Sequence, residues 1–222
     1  MLTKIDLSSP AGRRAAYADF NLHDHAYLRL AFSNAHWLDD RMLRANQPWP
    51  HQLEALRDRG LRTVVNLRGG FQSSFYALER EACDRLGLKL VDFTVRSREA
   101  PTREQILGAR DLFRSIEYPA LMHCKSGIDR AGLMSALFVH FELGQPIEQA
   151  ARQLSLKYLH LKTGRTGVLD EVFALYLREA APLGMSFLQW VESDAYDPAA
   201  ITRNFHATWW GNLLVDRVLR RE

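Results

Sequence analysis

Cys124 and Arg130 stand six positions apart in the segment 119–132, PALMHCKSGIDRAG, and no other pair of residues in the chain suggests chemistry so directly. An apolar stretch leads into the cysteine, a turn containing Gly127 follows, and a helical pattern begins near Ala131. The five residues between Cys124 and Arg130 can curl so that successive backbone N–H groups point inward, at the positive end of the helix dipole that follows. Such a ring fits a tetrahedral dianion, and the same field favours the thiolate form of a cysteine. A guanidinium at Arg130 can then hold two phosphoryl oxygens and stabilise the charge on the equatorial oxygens during transfer. In an arginine-rich chain the spacing by itself is a weak signal; the strand, turn and helix context supplies the specificity.

The elements that must place this segment are legible upstream. Residues 61–67 (LRTVVNL) are short and β-branched, 74–86 have helical spacing through Phe75, Leu78, Ala82 and Leu86, and 88–95 read as strand again. Thr102 caps a further helix with Ile106, Ala109, Leu112, Phe113 and Ile116 on one face, after which Pro119 starts the strand 120–123. Helices between strands imply right-handed crossovers, hence an α/β fold: a single domain with a mostly parallel central sheet of four to five strands flanked by helices. From Ala131 the pattern is helical to the end, over 131–143, 147–158, 168–180, 185–192 and 199–221. Residues 37–45 are expected to form one or two antiparallel edge strands. The domain is expected at 37–182, with an N-terminal extension at 1–36 and a helical C-terminal extension at 183–222 packed on it.

The bulk composition sets wide bounds. With 222 residues, 47% apolar and 25% charged, the chain can bury one sizeable core, and global disorder is excluded. A net charge of +3 is too mild to argue for nucleic acid, and the arginines are not interleaved with aromatics in an RNA-binding pattern. The basic residues are 24 Arg and 5 Lys, a bias that a GC-rich genome explains as readily as anion recognition does. Two cysteines, Cys83 and Cys124, do not make a disulfide framework, and with no signal-peptide-like or membrane-spanning stretch the expected place is the cytoplasm. His23 and His25 lack a third ligand nearby, so no metal is expected.

The segment 121–132 resembles the H-C-x5-R signature of the cysteine-dependent phosphatases, the protein tyrosine and dual-specificity superfamily. Similarity extends over about residues 42–176, where Arg44-Ala45-Asn46-Gln47-Pro48 and Val64-Val65-Asn66-Leu67-Arg68 look like the R-S-x-Q-P and I-N-L-R segments of compact atypical dual-specificity enzymes. The resemblance implies a phosphomonoester hydrolase working through a cysteinyl-phosphate, without a cofactor. Cys124 would be the nucleophile, Arg130 the phosphate ligand and His123 the loop support. The backbone amides of Lys125, Ser126, Gly127, Ile128, Asp129 and Arg130 would bind the phosphate. Three departures qualify the transfer. Ala131 stands where the family has Ser or Thr to help the thiolate leave, which would slow the second step. The loop 95–101 (VRSREAP), where the general-acid aspartate is expected, contains only Glu99 as a carboxylate, while Asp92 falls inside a strand. Asp129 precedes the arginine, as in myotubularin-type lipid phosphatases, so Asp129 and Glu99 are both candidates for the acid.

The substrate is left open between a phosphorylated protein and a phospholipid of phosphoinositide or phosphatidylglycerophosphate type; a phosphate-binding module with little turnover is the other class of reading. Lys125 directly after the cysteine matches a phosphoinositide 3-phosphatase, but Ile128 stands where that enzyme has a second lysine. The loop 157–167 carries Lys157, His160, Lys162 and Arg165, either as contacts to a second charged group or as a solvated basic loop. Arg68, Arg96 and Arg98, at predicted strand ends, either line the pocket or lie on the surface. Cys83 is expected in the core, with reversible oxidation against Cys124 as the alternative. The last helix, with Phe205, Trp209, Trp210, Leu213, Leu214 and Val218 beside Arg203, Arg217, Arg220 and Arg221, suits packing on the domain or peripheral contact with a membrane.

Overall fold

The computed structural model describes residues 5–206. The chain divides into two compact units, Met1–Thr94 with Ser115–Ala131, and Val95–Arg114 with Gly132–Glu222. In chain order the elements are α1 (Pro10–Leu22), α2 (Leu28–Ala31), β1 (His36–Trp37), β2 (Met42–Asn46), α3 (Pro50–Asp58), β3 (Thr63–Asn66), α4 (Ser74–Leu86), β4 (Lys89–Asp92) and α5 (Arg103–Ser115). Then come β5 (Ala120–Cys124), α6 (Asp129–Phe141), α7 (Ile147–Ala150), α8 (Val168–Glu179) and α9 (Phe187–Glu192), with residues 198–206 again helical.

The first unit holds the whole sheet, in the order β1-β2-β5-β3-β4, with only β1 antiparallel. The mostly parallel α/β sheet expected from the alternation of elements is therefore present. Leu43, Ala45, Val64 and Leu121 project from one face and pack with Leu53 of α3 and Ala82, Cys83 and Leu86 of α4 into one apolar cluster. Ser73 caps α4 through the Tyr76 amide, and Gly87 ends it in a left-handed conformation, so its limits coincide with the predicted 74–86. Thr102 caps α5 as its position suggested.

Two expectations need correction. Of residues 37–45, only β1 is an antiparallel edge; β2 is interior, parallel to β5 and buried throughout. Its Arg44 and Asn46 imitate the polar side of a half-exposed strand, yet both are buried. The helix expected at 147–158 stops after one turn, because Leu154 is drawn into the core and Ser155 is fully extended; two 3-10 turns follow instead. In the N-terminal stretch Ser9 caps α1, with Pro10 at its first position, and Phe20 meets Trp49 edge to face at 4.8 Å.

In the second unit Phe113 of α5 and Phe138 of α6 meet edge to face at 5.3 Å, and Phe173, Tyr176, Phe187, Trp190 and Tyr196 form an aromatic cluster around α8 and α9. Among the described residues no helix is long and apolar enough to cross a membrane. The membrane expectation for the last helix rests on Trp209, Trp210 and the residues after them, which lie outside the described residues.

Candidate active site

β5 is the middle strand of the five, and Cys124 is its last residue. Side chains alternate along a strand, so His123 shares the face of Leu121 and Ala45, covered by α4, while Cys124 shares the opposite face with Met122, Arg44 and Asn46. Cys124 is only 2% exposed.

Beyond Cys124 the chain turns back against β2, and Gly127 makes that possible. Its φ is +71°, and a Cβ there would lie 2.6 Å from Asn46 N and 2.7 Å from Ala45 C, both backbone atoms. Neither the angle nor the space admits another residue without displacing the sheet.

The carbonyls of this turn are all taken up by buried polar groups. Gln47 N donates to Lys125 O at 3.4 Å. Asn34 Nδ2 donates to Ser126 O at 3.2 Å and to Gly127 O at 3.1 Å. Arg44, with no exposed surface, donates through Nη2 to Gly127 O at 2.8 Å and Ile128 O at 3.2 Å. In a trans peptide the N–H points away from the preceding carbonyl, so the N–H groups of Ser126, Gly127, Ile128 and Asp129 face the other way. Asp129 and Arg130 form the first turn of α6, which adds the positive end of its dipole. A row of N–H donors between a cysteine and an arginine is an arrangement suited to an oxyanion. Asn34 holds its place with φ +44°, which asparagine tolerates better than most residues.

On the α4 face, His123 Nε2 is 2.9 Å from Glu79 Oε1, with both side chains buried. The two side chains are in close contact, but neither forms an aligned hydrogen bond. Asp92 ends β4 on this same face and accepts from Tyr76 Oη at 2.6 Å and Asn66 Nδ2 at 2.9 Å. Burial first, and then the bond to Asp92, push the Tyr76 hydroxyl up to about 12.

A second charged cluster comes from the segment before β1. Asp24 accepts from Arg68 Nη2 at 2.7 Å and Nη1 at 3.0 Å, and from Arg29 Nη2 at 2.7 Å. Burial opposes ionisation of Asp24, but the two guanidiniums outweigh it and hold the carboxyl below its ordinary value. Arg68 also bonds Gln47 Oε1 and stacks over Phe75, 3.6 Å from its ring centre. Lys125 Nζ completes the cluster, 3.3 Å from Asp24 Oδ1.

Residues 31–168 match the family model described as DSP-PTPase phosphatase fused to NAD+ kinase. The chain belongs to this DSP-PTPase family. It is a cysteine-dependent phosphatase of the dual-specificity superfamily. Among solved structures it is similar to TpbA of P. aeruginosa, at 17% identity over 72% of this chain and 92% of that one, with a TM-score of 0.54. It is also similar to Tk-PTP in its active form, at 18% identity over 66% of this chain and 99% of that one, TM-score 0.52. PTPMT1 in complex with PI(5)P has 17% identity over 66% of this chain and 98% of that one, TM-score 0.50. At such identities the likeness is one of fold. No curated protein matches.

Of the residues that the DSP-PTPase pattern picks out, His123 and Cys124 end β5, residues 125–128 form the turn, and Asp129 and Arg130 open α6. Glu99 lies in the second unit, where both of its oxygens accept from Arg96 Nη1, at 2.8 and 2.9 Å, on an exposed surface. Arg68 is nearly buried and anchored on Asp24. The loop 157–167 is not simply a solvated basic loop: His160 is buried with Nε2 2.6 Å from Asp170 Oδ2, and Lys162 Nζ is 3.4 Å from Oδ1 of the same carboxylate. Cys83 sits in the apolar cluster, and burial, followed by Glu79 and Asp84, pushes its thiol far up, which removes it as a ready redox partner.

Sequence reasoning passed over Glu79, Asp24 and Asn34. Glu79 left a trace, since it occupies the apolar stripe of α4 between Phe75 and Ala82. Asp24 and Asn34 left none, because only the folded chain brings them to a turn about a hundred residues away.

Proposed function

We propose that Cys124 attacks the phosphorus of a phosphomonoester in line and forms a cysteinyl-phosphate that water then hydrolyses. The row of amides turned inward by Asn34 and Arg44 carries this reading. In it the amides of Lys125 to Arg130 hold the phosphoryl oxygens as a phosphate-binding loop and Arg130 grips two of them, with His123 and Glu79 supporting the turn from behind. The sulfur–phosphorus bond forms as the ester oxygen leaves, and that oxygen needs a proton. Asp129, next to Arg130 at the head of α6, is the donor in this reading; Glu99 serves its ion pair with Arg96. Ala131 offers no hydroxyl to the departing thiolate, so breakdown of the intermediate limits turnover and a burst precedes the steady state.

The catalytic part comprises residues 37–182, with Asn34 and Asp24 of the preceding segment serving its loop. The substrate is of protein tyrosine or dual-specificity type, in a reducing, cytoplasmic setting that suits a free cysteine. The crystal of TpbA in complex with pTyr supports the reading in kind. PTPMT1 in complex with PI(5)P is the ground for testing phospholipids beside it. The test is hydrolysis of a panel of phosphopeptides and phospholipids by the wild type, Cys124→Ser, Asp129→Asn and Glu99→Gln. Cys124→Ser is expected to be inactive throughout. Asp129→Asn should lose about 10²–10⁴-fold on poor leaving groups, with Glu99→Gln close to wild type. Turnover retained by Cys124→Ser overturns the reading.

A further inference from the structure

Lys125 follows the proposed nucleophile directly, so its ammonium is well placed to read whatever lies beside the scissile phosphate. Asp24 has claimed it. The carboxylate is fixed before Lys125 arrives, since Arg68 holds both of its oxygens and Arg29 holds Oδ2. Both guanidiniums are nearly enclosed, with side-chain exposures of 7% and 6%, so neither can turn to a ligand. The Lys125 side chain is 44% exposed and is the one cation of the cluster that solvent reaches freely. Its contact with Asp24 Oδ1, at 3.3 Å, is also the longest of the ion pairs in the cluster. A ligand carrying a second phosphate would draw on Lys125, and it must compete with Asp24 for the ammonium and meet a nearby negative charge as it does so.

We infer that Asp24 is a specificity-determining residue, which by holding the Lys125 ammonium biases this phosphatase toward substrates carrying one phosphate and against those with a second phosphate next to it. The inference rests on the Cys124–Arg130 turn being the phosphate site. Arg29 and Arg68 are positioning residues in this arrangement: they keep the carboxylate where Lys125 meets it.

The probes are inorganic phosphate and pyrophosphate, used as competitive inhibitors of p-nitrophenyl phosphate hydrolysis by the full chain at low ionic strength. Asp24→Asn keeps the shape and removes the charge. It is expected to improve the inhibition constant of pyrophosphate about two- to fivefold relative to that of phosphate, the size of a partly exposed ion pair. Adding Lys125→Met should abolish that gain. An unchanged ratio in Asp24→Asn, or a gain that survives the loss of Lys125, overturns the inference. Should Asp24→Asn fail to fold with two buried guanidiniums short of a partner, Lys125→Met alone decides. It should shift the ratio less than about twofold if Asp24 already occupies the ammonium, whereas a tenfold selective loss of pyrophosphate binding would show Lys125 facing the ligand freely. Cys124→Ser separates the two levels. If that variant still hydrolyses p-nitrophenyl phosphate, the site reading fails; if it is dead and the ratio does not move, only the role of Asp24 fails.

Discussion

Replacing Gly127 by alanine separates two costs that the turn after Cys124 imposes. The backbone there has φ +71°, and forcing an L-residue into the left-handed region costs about 1–2 kcal/mol. The added Cβ would also press on Asn46 N at 2.6 Å, Ala45 C at 2.7 Å and Ala45 O at 2.9 Å. These are backbone atoms of an interior strand and cannot swing aside, so overpacking adds about 1–3 kcal/mol. Gly87 is the matched control: its φ is +68°, and nothing lies within 4 Å of a Cβ built on it. Gly87→Ala should therefore cost about 1 kcal/mol and Gly127→Ala about 3 kcal/mol. With a urea dependence of about 2 kcal/mol per molar, the midpoints fall by about 0.5 M and 1.5 M. Circular dichroism in urea measures both, beside turnover of p-nitrophenyl phosphate, which Gly87→Ala should keep and Gly127→Ala should lose. Equal midpoint shifts, or an active Gly127→Ala, would show that the turn does not press on β2 as described.

Arg44→Met should leave the Ile128 carbonyl short of a donor at about 1–3 kcal/mol, while Gly127 O keeps Asn34, and kcat for an aryl phosphate should fall with it; wild-type kinetics would remove Arg44 from the support of the turn. The Asp24 carboxyl lies below its ordinary value in the fold, so its contribution to stability is complete above the unfolded-state value of 3.8 and is lost as pH falls through the lower, folded one. Denaturant titrations from pH 5 downward should show a steeper loss in the wild type than in Asp24→Asn, and parallel curves would contradict the ion-pair cluster. Iodoacetamide near neutral pH should spare Cys83 until the chain unfolds, as peptide mapping would show; labelling of Cys83 in the folded chain would place it outside the apolar cluster.

Local rules made much of this protein readable from its residues. Apolar spacing gave α4 its limits, and short β-branched runs gave β3 and the start of β4. A strand, a glycine turn and a helix start, read together, marked Cys124 to Arg130 as one unit of chemistry. Each of these signals is complete within a few residues, because backbone propensity, capping and turn geometry are short-range effects. The same rules misjudged β2, whose Arg44 and Asn46 look solvent-facing in sequence.

Tertiary structure decided where the polar groups find their partners. Arg44 and Asn34 are buried because the carbonyls of a turn more than eighty residues later require donors. Glu79 meets His123 only because β5 runs beside α4, and Asp24 acquires its role only where Arg68, Arg29 and Lys125 converge. A buried polar atom must be satisfied, yet nothing in its own neighbourhood of sequence says by what; that is settled by which strands lie side by side.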